Sequence, residues 1–181
     1  MAYDLSRGGD GLRVRTLSTL DLERQIASDG ATWLDRELVA QSPTSLSKSG
    51  FGWDVARALD RRAERLIEMG HAKLQPDQSF LLPGNLVATL ERQEVERVGH
   101  EMAQARGLTF RPAKVGEYVS GTLAGATNLA SGRYAMIDDG LGFSLVPWQP
   151  VLDQRIGQYI TGVVRGAGIE WDFGRKLGLG L

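Results

Sequence analysis

The side chains with most chemical potential are arginines on one helical stretch and aromatics on a β-rich one. Arg57, Arg61 and Arg65 recur at four-residue spacing, with Arg62 beside them. On a helix this spacing lines three guanidinium groups along one face. Guanidinium forks match phosphate oxygens and the acceptor edge of guanine, so the stripe predicts a groove-facing, DNA-binding helix. Asp54, Asp60, Glu64 and Glu68 interleave with it, and the competing expectation is an ion-paired, solvated helix surface. Lys73 adds one cation on the strand that follows. Further along, Tyr118, Tyr134, Trp148 and Tyr159 accompany Arg133, Arg155 and Arg165. Rings that stack bases beside cations that meet phosphates are the means by which small barrels hold single-stranded DNA. The competing reading of Trp148, flanked by Pro147 and Pro150, is a plug in a barrel core.

Other chemistry is sparse. Asp138-Asp139 are adjacent carboxylates pointing apart, and the Asp139-Gly140 pair is explained by turn geometry. His71 and His100 have no companions at ligand spacing, so no metal site is expected. Gly162 to Gly168 lacks the Lys-Ser/Thr ending of a phosphate loop and precedes a strand. No cysteine is present, which removes disulfides, thiolate zinc sites and a thiol nucleophile. No catalytic residue and no cofactor are expected.

The elements that must position these groups fall into two regions of different period. In residues 18–110 the spacing is helical. Ser18 and Thr19 read as the N-cap of a short helix to about Ser28, and Thr32 with Asp35 as a capping pair for a second. The strongest helix spans about Gly52 to Met69, with Val55, Leu59, Leu66 and Ile67 at three- and four-residue spacing and Gly70 as its stop. His71–Leu74 and Ser79–Leu82 flank Gln75-Pro-Asp-Gln as a short hairpin, and a last helix runs from about Leu86 to Arg106. This order predicts a winged-helix-like arrangement. Residues 111–175 change to a period of two, with Val119, Gly121 and Leu123 on one face and Ile169, Trp171 and Phe173 repeating the pattern. Five strands with a helical turn near Val151–Arg155 predict a small OB- or SH3-like β-barrel. The expected fold class is therefore α+β, with 1–17 a flexible lead-in and 176–181 a tail.

Composition bounds the partners. The 181 residues carry 21 basic and 22 acidic side chains. Up to Phe110 there are 14 basic and 16 acidic residues, and after it 7 and 6. Neither half holds the cationic excess of a freestanding tight DNA binder. No apolar run approaches a bilayer span, and Met1 to Asp10 carry charge and glycine instead of an apolar signal segment. A cytoplasmic protein with no membrane partner is expected.

Several blocks carry a resemblance. Gly30-Ala-Thr-Trp-Leu-Asp-Arg-Glu-Leu-Val39, Gly50-Phe-Gly-Trp53 with its Arg-rich helix, Asn85–Leu90, and Leu129 to Trp148 occur in order. Together they resemble the C-terminal region of conjugal-transfer relaxases and mobilisation nucleases similar to the T-DNA border endonuclease class. In that family a histidine cluster holds a divalent metal and a tyrosine attacks DNA in an N-terminal domain. This chain has only His71 and His100 and no histidine triad, so the nicking activity does not carry over. The resemblance implies a non-catalytic accessory module in conjugation and plasmid transfer. Its expected partners are single-stranded or origin-like duplex DNA, bound weakly, or alternatively a coupling protein or type IV secretion channel to which it docks the relaxase. The last residues, Gly174 to Leu181, are a candidate docking tail.

Overall fold

The computed structural model describes residues 2–8, 11–42, 44–46, 49–166 and 168–173, with side chains from residue 18 onward. The chain is α+β and divides into two compact units, Met1–Glu94 and Val95–Leu181. The sequence reading set the division after Phe110; here it falls inside a helix.

The first unit opens with β1 (Ala2–Gly8) and β2 (Gly11–Ser18), paired antiparallel. The expected flexible lead-in at 1–17 is thus corrected to a two-stranded ladder. Leu12, Val14 and Thr16 do alternate with Arg13 and Arg15, and the register sets Leu5 opposite Val14. Glycines and charges at both ends of so short a pattern hid its period. Helices α1 (Leu22–Ala27), α2 (Trp33–Leu38) and α3 (Phe51–Glu68) follow, then a hairpin of β3 (Lys73–Leu74) and β4 (Phe80–Leu81), then α4 (Leu86–Arg106). The N-cap of α1 is Asp21, not Ser18 or Thr19: its carboxylate accepts from the Arg24 backbone N–H at 2.8 Å. The predicted Thr32–Asp35 capping box is present at the start of α2.

Two apolar clusters hold this unit together. Ile26, Leu34 and Ala58 join α1, α2 and α3. Ala31, Leu66, Ala72, Leu86 and Leu90 join α3, the hairpin and the first turns of α4. Gly70, at φ 79°, ends α3 in a conformation that side-chain-bearing residues avoid.

The second unit is built on one antiparallel sheet of β5 (Tyr118–Leu129), β6 (Gly132–Asp138), β7 (Phe143–Pro147), β8 (Tyr159–Arg165) and β9 (Gly168–Asp172), in the order β7-β6-β5-β8-β9. A 3-10 turn, Pro150–Leu152, lies between β7 and β8, where the sequence predicts a helical turn. The expected barrel is corrected to an open sheet, since no ladder joins β7 to β9. At that gap a side chain meets the strand: Gln149 Nε2 donates to the Ile169 carbonyl at 2.9 Å. Alternation specifies strands and faces, whereas closure requires tilt and stagger that a hydrophobic pattern does not encode.

The sheet buries both faces, but unequally. On one, Val119, Leu123, Ala135, Ile137, Val146, Ile160 and Ile169 form the main core with Leu152. On the other, Tyr134, Phe143 and Leu145 pack with Phe110 and Ala103 of α4. Gly99 of α4 lets Phe110 approach closely, because a Cβ there would run into its ring.

Candidate interaction surface

The four arginines of α3 have separate fates. Arg62 is fully buried and belongs to the core of the first unit. Its Nε and Nη2 donate to the two Asp35 carboxylate oxygens at 2.8 and 3.0 Å. Nη1 donates to the Ile26 carbonyl and Nη2 to the Gly30 carbonyl, both at 3.0 Å. Asp35 also accepts from the Thr32 N–H and hydroxyl. One guanidinium thus ties α3 to the capping box of α2 and to the loop after α1. The expectation of Arg62 as a DNA contact is therefore corrected. A readable signal exists: Val55, Ala58, Arg62 and Leu66 follow the three- and four-residue spacing of the apolar face.

The remaining arginines lie nearer solvent. Arg61 pairs with Glu23, whose hydrogen bond raises its pKa above the ordinary value. Arg65 pairs with Glu68 at 3.0 Å and Asp29 at 3.3 Å. Arg57 is exposed and lines a cleft between α1 and α3 with Glu23, Asp54 and Arg61. Arg61 and Arg65 are therefore ion-paired, but of the interleaved carboxylates only Glu68 forms one of these pairs; Glu23 of α1 and Asp29 of the loop after it supply the others. Lys73 stands exposed on β3, beside an apolar groove lined by Leu81, Leu82 and Pro83.

In the second unit, Tyr134 is buried in the cluster under α4, and its hydroxyl accepts from Ser131 at 3.3 Å. It cannot stack a base without leaving that core, so the expectation for Tyr134 is corrected. Trp148 is half-buried against the main core, donates through Nε1 to Asp153 at 3.0 Å, and carries the Arg133 guanidinium 3.8 Å above its ring. The Arg133–Trp148 stack is a cation–π contact of about 0.5–1 kcal/mol at such an exposed site, so Trp148 is a corner anchor. Arg155 covers the Phe173 ring in the same way, at 3.8 Å. Arg165 is held by Glu170 at 3.1 Å. Tyr159 is exposed on β8, and Tyr118 on the neighbouring β5.

Asp138 and Asp139 shape the β6–β7 turn. Asp138 accepts from the Gly140 N–H, and Asp139 from the N–H groups of Leu141 and Gly142. Arg111 also bonds Asp139. His100 is exposed and meets Phe110 edge-on at 5.3 Å. Among the described residues, no three His, Asp or Glu side chains converge as metal ligands. Among them, too, no helix is long and apolar enough to cross a membrane. Gly174–Leu181, with the candidate docking tail, lie outside the described residues.

Fold and surfaces define a two-unit α+β protein whose cations are largely paired and whose exposed rings lie on α3, at Phe51 and Trp53, and on the five-stranded sheet, at Tyr118 and Tyr159. The chain belongs to the family described as Protein of unknown function (DUF3363), whose model matches residues 1–180. No curated protein and no solved structure matches it.

Proposed function

We propose that this chain is a non-catalytic accessory module of a conjugal-transfer relaxase, working in the cytoplasm by docking the relaxase to a coupling protein or secretion channel. The family link rests on the ordered sequence blocks from Gly30 to Trp148. The choice of protein over DNA rests on one observation: most of the cations that would grip phosphate, Arg57 and Lys73 excepted, are already engaged. Arg61, Arg62, Arg65 and Arg165 pair with carboxylates, and Arg133 lies on Trp148. Freeing each for phosphate would break an existing contact, and the near-neutral charge of the chain supplies no long-range compensation.

Co-purification tests the reading. The tagged chain is expected to retain the relaxase nuclease domain or the coupling protein of its own transfer system through a wash at about 150 mM salt, where surface charge pairs beyond a Debye length are screened. Retention of neither partner, together with tight binding of origin DNA, would overturn it.

A further inference from the structure

The β3–β4 hairpin of the first unit turns one face to its core and leaves a groove on the other. Lys73 stands opposite Leu81 in the ladder, and Leu74 opposite Phe80; paired residues carry their side chains on one face. Ala72 and Leu82, one position away from that first pair, turn inward and pack with Leu66 of α3 and Leu86 and Leu90 of α4. Alternation therefore sends Lys73 and Leu81 to the face away from the core. There they line a groove of about 370 Å³ together with His71 and Pro83. Leu81 lies outside the cluster that holds Leu82 and is 54% exposed.

The ionisable side chains of this lining are Lys73 and His71, both basic, and no carboxylate belongs to it. The acids nearest in sequence are engaged elsewhere. Glu68 pairs with Arg65, and Asp77 accepts from the Ser79 N–H and hydroxyl in the turn. Among the described residues the Lys73 ammonium has no ion-pair partner. An apolar groove with an unpaired cation at its rim suits an aliphatic segment that carries carboxylates. Aliphatic side chains would remove Leu81 and Pro83 from water, and a carboxylate would meet the ammonium. A phosphodiester would answer the cation alone and leave Leu81 wet, and a Lys- or Arg-rich segment would meet like charge. The volume stands at the low end of small-ligand clefts, which suits one or two side chains of a segment that crosses the hairpin.

We propose that this groove docks an extended, acidic and aliphatic segment of a partner protein, with an aliphatic side chain against Leu81 and Pro83 and an Asp or Glu carboxylate on Lys73. Such a site rests on the protein-docking function proposed above and gives it a location. The probe is an octapeptide of alternating glutamate and leucine, titrated into the isotope-labelled full chain and followed by amide chemical shifts. The largest shifts are expected within His71–Leu74 and Phe80–Leu82. Lys73→Glu is expected to weaken binding about tenfold, because it sets like charges together, and Lys73→Arg to leave it within about twofold. Leu81→Ser is expected to weaken it about fivefold through lost apolar burial. Lys73 and Leu81 are both exposed, so none of these variants removes a core contact. Shifts centred elsewhere, or insensitivity to Lys73→Glu or to Leu81→Ser, would overturn the site. Equal binding of a lysine–leucine octapeptide would do the same, as would an oligothymidine that moves these residues in place of the peptide. Concentration-dependent shifts there without peptide would mark a second copy as occupant and also overturn it. If the peptide fails while the chain still co-purifies with its transfer partners, the groove is wrong and the docking function stands. If both fail, both readings fall.

Discussion

Arg62 shows how one residue changes meaning with depth. On the surface it would add to a cationic stripe; buried, it satisfies Asp35 and backbone carbonyls around it. Breaking such a pair strands its partner in a low-dielectric site. Arg62→Met is therefore expected to lower stability by about 3–5 kcal/mol, read by urea unfolding. Pairing it with Asp35→Leu should recover part of that loss, because no charge is left alone. An unchanged midpoint for the single variant would contradict the burial. At the hairpin, Asp77 accepts from the Ser79 hydroxyl and N–H, which hold its carboxyl below the usual value. Ionised Asp77 therefore favours the turn above the ordinary carboxylate range, and that contribution is lost as pH falls through its lowered folded-state value. A carbon-detected NMR titration should place its midpoint below that of a free aspartate. Arg62 was legible in part, since its position fits the apolar spacing of α3. The arginine residue type outweighed the phase of the pattern.

At the scale of elements, periodicity carried most of the architecture. The helical spacing of Val55, Leu59 and Leu66 located α3, and the alternation of Val119, Gly121 and Leu123 located β5 with the correct inward face. Gly121 shows why that face needs a residue without a side chain: a Cβ would collide with the Asp138 backbone carbonyl. Gly121→Ala is expected to destabilise the second unit by about 1–3 kcal/mol through overpacking, measured by thermal unfolding. Stability equal to the parent would mean that β5 and β6 yield easily there. What the pattern did not reveal was pairing at long range. Whether β9 closes on β7 depends on stagger, and the end of β7 leads instead to Gln149 bonding Ile169. Nor does spacing distinguish Tyr134 from Tyr118. Both are tyrosines on strands, and only the packing of Phe110 and α4 over β6 decides that the first is buried.

For the molecule as a whole, net charge bounds the choice of partner. A chain of 21 basic and 22 acidic residues has no cationic excess, and Arg61, Arg65 and Arg165 each meet a carboxylate of the same chain. The central claim is that the module meets protein and leaves DNA to its relaxase. Fluorescence polarisation with labelled single-stranded and duplex origin-like oligonucleotides at about 50 mM salt tests it most directly. The account predicts dissociation constants weaker than about 100 µM for both forms, the weak end of non-specific binding. Low-micromolar binding that falls when Arg57 and Lys73 are replaced by alanine would contradict it.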